Sequence, residues 1–182
     1  MKNLRFTAEL ADFFERRNRF AEADEYVGMA ASGIPEVFVR YFDALPARDR
    51  RLVARHVAAA ALGEVAALAP YLDEAAGLML SLCLHGRAEY FAGERERLAG
   101  EFNDPANLRA WAAAGDDDEC EGLDCKRQWR YAMKLWGVLH ALRAEEAEPS
   151  YKYLLRKARS PHFKRTLRVT RELFDSDPFR EP

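Results

Sequence analysis

Apolar residues recur along the chain at steps of three and four, the spacing of one helix face. No stretch alternates with the period of two that a half-buried strand requires. Phe6, Leu10, Phe13 and Phe14 mark a first helix over 6–17, and Phe20, Ala23, Val27 and Ala30 a second over 19–31. Gly33 is placed to end the second, and Pro35 to start a short helix striped by Val37, Phe38, Tyr41, Phe42 and Leu45. Pro46 opens a long helix over 47–68, with Leu52, Val53, Val57 and Ala60 inward and Arg48, Arg51 and Arg55 outward.

Pro70 begins the next helix, with Asp73 and Glu74 in the first turn, where the helix dipole favours acid. Its run over 75–84 is apolar nearly all round, which predicts a central position with Leu78, Leu80, Leu82 and Leu84 in the core. A helix over 88–100 follows. Asp104 before Pro105 is the sharpest start signal in the chain, an N-cap followed by proline at the first helical position. Beyond an acidic break over 115–123, Trp129, Ala132, Met133, Trp136 and His140 stripe a long helix over 124–147, with both tryptophans in the core. A short helix over 151–158 and a last one over 161–174, capped by Ser160, complete the pattern. The expectation is an all-α single domain over 1–182. It has about eight to ten helices, arranged as a bundle or as stacked helical hairpins with short connections.

Composition narrows the class without naming a function. The 182 residues are 49% hydrophobic and 32% charged, with a net charge of −2. That describes an ordinary globular chain, and excludes both a strongly basic nucleic-acid binder and an acidic disordered tail. Met1–Phe6 runs into Glu9 and Asp12 without an apolar leader. The apolar run over 75–84 is about half the ~20 residues that span a bilayer. Three cysteines form no closed disulfide framework. These features predict a reduced, cytoplasmic protein with no membrane association.

Most familiar chemistries lack their motif. There is no His-Glu-x-x-His, Gly-x-Ser-x-Gly, P-loop, dinucleotide fingerprint or Glu-x-x-His in the sequence. Cys83 with His85, and Cys120 with Cys125, supply zinc-type ligands, but neither pair has clean zinc spacing, and Cys83 lies in the most apolar run. Asp117, Glu119, Glu121 and Gly122 imitate the start of a calcium loop, yet Gln128 stands where the bidentate acid belongs. No metal or cofactor is therefore expected. His56 and His140 each fall on an inward stripe. Each is either a hydrogen-bonded core histidine or the acid–base group of an enzyme or small-ligand protein with a pocket between helices.

One charge asymmetry remains. Between 150 and 171 stand Lys152, Arg156, Lys157, Arg159, Lys164, Arg165, Arg168 and Arg171, with no acid among them. They form either a solvated face, paired with the acidic loop or with Glu145, Glu146 and Glu148, or an anion-binding patch. On a helical wheel Phe163, Leu167, Thr170 and Phe174 share one side, with Val169 and Leu173 read as extending it. Lys164, Arg165, Arg168 and Arg171 fall opposite. The leading expectation is a non-catalytic protein-binding module of adaptor, chaperone or immunity type. It would bind an acidic protein partner through Lys157, Lys164, Arg165, Arg168 and Arg171, because arginine forks match carboxylates. Nucleic-acid binding through the same segment is the alternative.

Overall fold

Proline, glycine and capping side chains divide the chain into short helices, and their positions set the architecture. A computed structural model describes residues 8, 10–12, 15, 37–114 and 123–175, the side chains of 123–126 excepted. The protein is all-α. Besides helical residues between 8 and 15, eight α-helices and no strand occur among the described residues. We number them α1 (37–44), α2 (Ala47–Ala61), α3 (Leu72–Leu82), α4 (Arg95–Asn103), α5 (Pro105–Ala113), α6 (Leu123–Ala141), α7 (Glu148–Lys157) and α8 (Pro161–Asp175). Two compact units contain them, 1–92 and 93–182. The acidic break lies outside the described residues as far as 122, and Leu123 already belongs to α6.

In the first unit α2 and α3 pack on each other. Helix α2 buries Val53, Ala54, His56, Val57, Ala58, Ala60 and Ala61, and α3 buries Ala75, Ala76, Leu78, Met79 and Leu82. Alanine at so many of these positions lets the two backbones approach closely. Helix α2 stops at Ala61, not at 68 as its periodicity suggests. Gly63 takes φ +72°, its N–H bonds Ala60 O at 3.0 Å, and Glu64 N–H bonds Ala59 O at 2.9 Å. That pair of bonds is the Schellman ending, which glycine adopts without steric penalty.

The run over 75–84 does not stay buried to its end. Helix α3 passes into a π-turn, Cys83–Arg87, where Gly86 has φ +77°. Leu80 is half-buried and Leu84 is 47% exposed, contrary to the core expectation for these two. Arg87 Nε and Nη2 hold both Asp43 oxygens, at 3.0 and 2.7 Å, fixing this turn to α1 and holding the Asp43 carboxyl below its ordinary range. By length and composition the helical stretch Ala66–Asn103 is apolar enough to cross a membrane. It is broken by 3-10 and π turns, and its longest regular α-segment has 11 residues.

The second unit is built on α6, which packs against α4, α5 and α8, while α7 packs against α5 and α8. Asp104 caps α5, accepting from the N–H groups of Ala106 and Asn107 at 2.7 and 3.0 Å, as its sequence position predicts. Phe102 lies between Trp111 and Trp136, with ring centroids 5.8 and 5.7 Å away. Trp136 in turn stacks on Tyr151 at 4.2 Å and 13°. Trp129 and Trp136 are buried, as expected. Helix α6 ends at Ala141 by the same device as α2, but with Arg143 at φ +55° in the position that favours glycine. Arg143 N–H bonds His140 O, and Ala144 N–H bonds Leu139 O, both at 2.9 Å.

Two outcomes follow from this packing. Arg143→Gly relieves the left-handed strain, and denaturant melting should show a gain of roughly 1 kcal/mol. Cys83 is buried, and burial with nearby Glu89 pushes its thiol up to about 12. With Cys83 as the sole thiol (Cys120→Ser and Cys125→Ser), a disulfide reagent should react slowly in the native protein and fast in denaturant. Fast native reaction would contradict the burial.

Candidate functional site

The basic C-terminal segment is carried by α7, α8 and the turn between them. Ser160 Oγ accepts from Phe163 N–H at 3.0 Å and starts α8. Arg159 N–H bonds Ala112 O at 3.0 Å, tying the turn to the end of α5. From this start α8 docks by one narrow stripe, Phe163, Leu167, Thr170 and Phe174, all buried. Thr170 belongs to it because its hydroxyl donates to Thr166 O at 2.8 Å and leaves no polar group unmet.

The five predicted partner residues separate into two groups. Arg171 is an internal strut. Its Nη1 meets Glu148 Oε1 and Oε2 at 3.0 and 3.1 Å, its Nε lies 3.5 Å from Asp175, and its guanidinium sits over the Tyr151 ring at 5.3 Å. Glu148 also receives Lys152 at 3.6 Å. The expected pairing of the basic run with this acid thus holds for two of its members. Lys157, Arg165 and Arg168 are exposed and Lys164 is half-buried. None of these four enters an ion pair with a described residue.

Two neighbours of the cations differ from the sequence reading. Val169 and Leu173 do not extend the buried stripe but are 41% and 60% exposed. At 100° per residue they stand roughly 120° and 80° from Phe163, beyond the seam that α8 makes with the unit. Glu172 is also exposed, one turn beyond Arg168. Glu148 was one of the acids the sequence offered to the basic run, whereas the ring of Tyr151 and the carboxylate of Asp175, which also organise Arg171, had no signal in the sequence, since their positions depend on how three helices meet.

The candidate acid–base residues lie in different units. His56 is buried in α2, and burial lowers its pKa from the ordinary 6.5. His140 in α6 places Nε2 3.1 Å from Asp175 Oδ1, with Trp136 at 5.5 Å on one side and Phe174 at 5.2 Å on the other. An imidazole that meets a carboxylate and two aromatic rings ties the end of α8 to α6. Cys83 is buried, whereas His85 is exposed with Nδ1 2.7 Å from Ser81 O. The Cys120 and Cys125 thiols lie outside the described residues. Among the described residues no group of three His, Cys, Asp or Glu side chains could hold a metal ion.

The chain matches no protein-family model, and neither a curated protein nor a solved structure is significantly similar to it.

The His56 geometry has a pH consequence. A folded pKa below the unfolded value means that the unfolded chain binds more protons, so stability is full above pH 6.5 and falls as the pH drops below it. His56→Gln should remove that part of the slope in denaturation curves measured from pH 7.5 down to 5. An unchanged slope would show that His56 is not its source.

Proposed function

We propose that this protein is a non-catalytic, cytoplasmic protein-binding module whose C-terminal unit takes an acidic protein partner on Lys157, Lys164, Arg165 and Arg168. The observation that carries this reading is the remainder after internal pairing. Glu148 and Asp175 engage Arg171, and of the five predicted partner residues the other four, Lys157, Lys164, Arg165 and Arg168, are left without an ion-pair partner among the described residues. Helix α8 presents three of these from the side opposite its buried stripe, so its docking already fixes their direction. Such preorganisation lowers the ordering cost of binding, and arginine forks make bidentate bonds to carboxylates. Arg171 is not part of the recognising set; it holds α8 on α7.

The face favours carboxylates of a protein over nucleic-acid phosphates for two reasons. The net charge of the chain is −2, so no broad positive field steers a polyanion. In addition, Val169 and Glu172 stand among the cations, which suits a protein surface better than a uniform phosphate backbone.

The test uses a Glu-rich peptide, with a DNA duplex of equal charge as competitor. The peptide should bind with an affinity that falls roughly tenfold between low and moderate salt. Lys164→Glu, Arg165→Glu and Arg168→Glu together should abolish binding while far-UV circular dichroism stays helical. A triple variant that binds as tightly as the wild type would leave the face a solvated surface, and displacement by the duplex at low stoichiometry would favour a nucleic acid.

A further inference from the structure

The basic end of α8 also carries an imidazole. His162 is exposed in the first turn of the helix, and its ring lies 5.3 Å from that of buried Trp129 on α6, at 78°. That contact positions the ring and leaves it at the surface. Arg165 stands three residues on, the spacing of neighbours on a helix surface. The elements packed at this end bring mostly cations. Helix α7 ends in Lys157, the turn holds Arg159, and exposed Arg130 follows Trp129 on α6. Exposed Arg109 on α5 stands one turn before Ala112, whose carbonyl accepts the Arg159 N–H. The acid of α4, Glu101, is engaged by Asn107 Nδ2 at 3.2 Å and by the Tyr131 hydroxyl. Among the described residues His162 enters no ion pair.

We infer that His162 is the proton-controlled member of the recognition face. The acidic segment that meets Lys157, Lys164, Arg165 and Arg168 also brings a carboxylate to the imidazole, which takes a proton from solvent and becomes a fifth cation in the complex. This rests on the acidic-partner reading above and adds what that reading leaves open, namely how tightly the partner is held at different pH. Imidazole is the side chain whose charge ordinarily changes between pH 5 and 8, and a carboxylate within about 4–6 Å favours its charged form. Lysine and arginine keep their charge through that range. They therefore set the salt dependence of binding, while His162 sets its pH dependence. Because the complex binds more protons than the free protein, affinity rises as the pH falls.

The test titrates a Glu-rich peptide into the full chain at fixed ionic strength, at pH 8 and pH 6. Calorimetry at pH 7 in two buffers of different ionisation enthalpy counts the protons taken up, and far-UV circular dichroism checks the fold at each pH. The wild type should bind about fivefold tighter at pH 6 than at pH 8, with proton uptake. His162→Gln, at an exposed position, should bind at both pH values as weakly as the wild type at pH 8, without uptake. His162→Lys, charged throughout, should restore tight binding at pH 8. A histidine that only packs on Trp129 would change melting in these variants and leave the pH slope and the uptake untouched. Wild-type binding without proton uptake, or a pH slope retained in His162→Gln, would overturn the inference and leave the acidic reading standing. No binding of the peptide at either pH would overturn both. A DNA duplex that binds more tightly at pH 6, where the peptide does not bind, would overturn the inference by replacing its occupant.

Discussion

Four side chains spaced along one line of α8 decide how the C-terminal unit is organised and what it can offer. Phe163, Leu167, Thr170 and Phe174 occupy a stripe about one residue wide, and that stripe is the whole of the helix's docking seam. A wider apolar face would have drawn Val169 and Leu173 inward and rotated the arginines toward the unit. A narrower one could not outweigh the entropy of ordering 15 residues. The seam sets the rotation of the helix, and the rotation sets which charges reach solvent and which find an acid. Arg171 falls at the seam's edge and meets Glu148, whereas Arg165 falls across from it and meets none of the described acids.

Beneath that seam an aromatic column spreads the constraint through the unit. Trp111, Phe102, Trp136 and Tyr151 touch in sequence, and Arg171 covers the last ring. The column links α5, α4, α6 and α7, and its capping guanidinium belongs to α8, so each of the five helices places one group in it. Burial raises the Tyr151 pKa, and the Arg171 charge opposes that rise. The indole Nε1 of Trp136 lies buried without a hydrogen-bond partner among the described residues, a cost that the stacking on both sides must outweigh.

Much of this was legible in the sequence, and what was missed has physical causes. Helix starts were readable because caps are local: Asp104, Ser160 and the prolines after them act within three residues. Helix ends were less so. Periodicity ran on past Ala61 and Ala141, and the stop is a left-handed residue whose identity decides little by itself, glycine at 63 but arginine at 143. Leu84 was misplaced because apolar character does not reveal where a helix unwinds, and Gly86 unwinds this one. At the site, the cations were legible as a run. Their division into two that pair with Glu148, Lys152 and Arg171, and six free of described ion pairs was not, since it depends on where Glu148 and Tyr151 come to rest across α7.

The short turn between α7 and α8 carries a consequence for how this surface would be probed enzymatically. Lys157 precedes it, Arg159 lies within it and both are exposed, so by sequence the turn is an inviting site for a trypsin-like protease. Cleavage needs the backbone to leave its fold and enter the protease as an extended strand. Here Ala158 and Ser160 are buried, Arg159 N–H is bonded to Ala112, and the Ser160 hydroxyl is bonded to Phe163 N–H. All of these contacts must break together before the peptide bond becomes accessible, so nicking at this turn measures how often α8 lifts from the unit, whatever the density of basic residues around it.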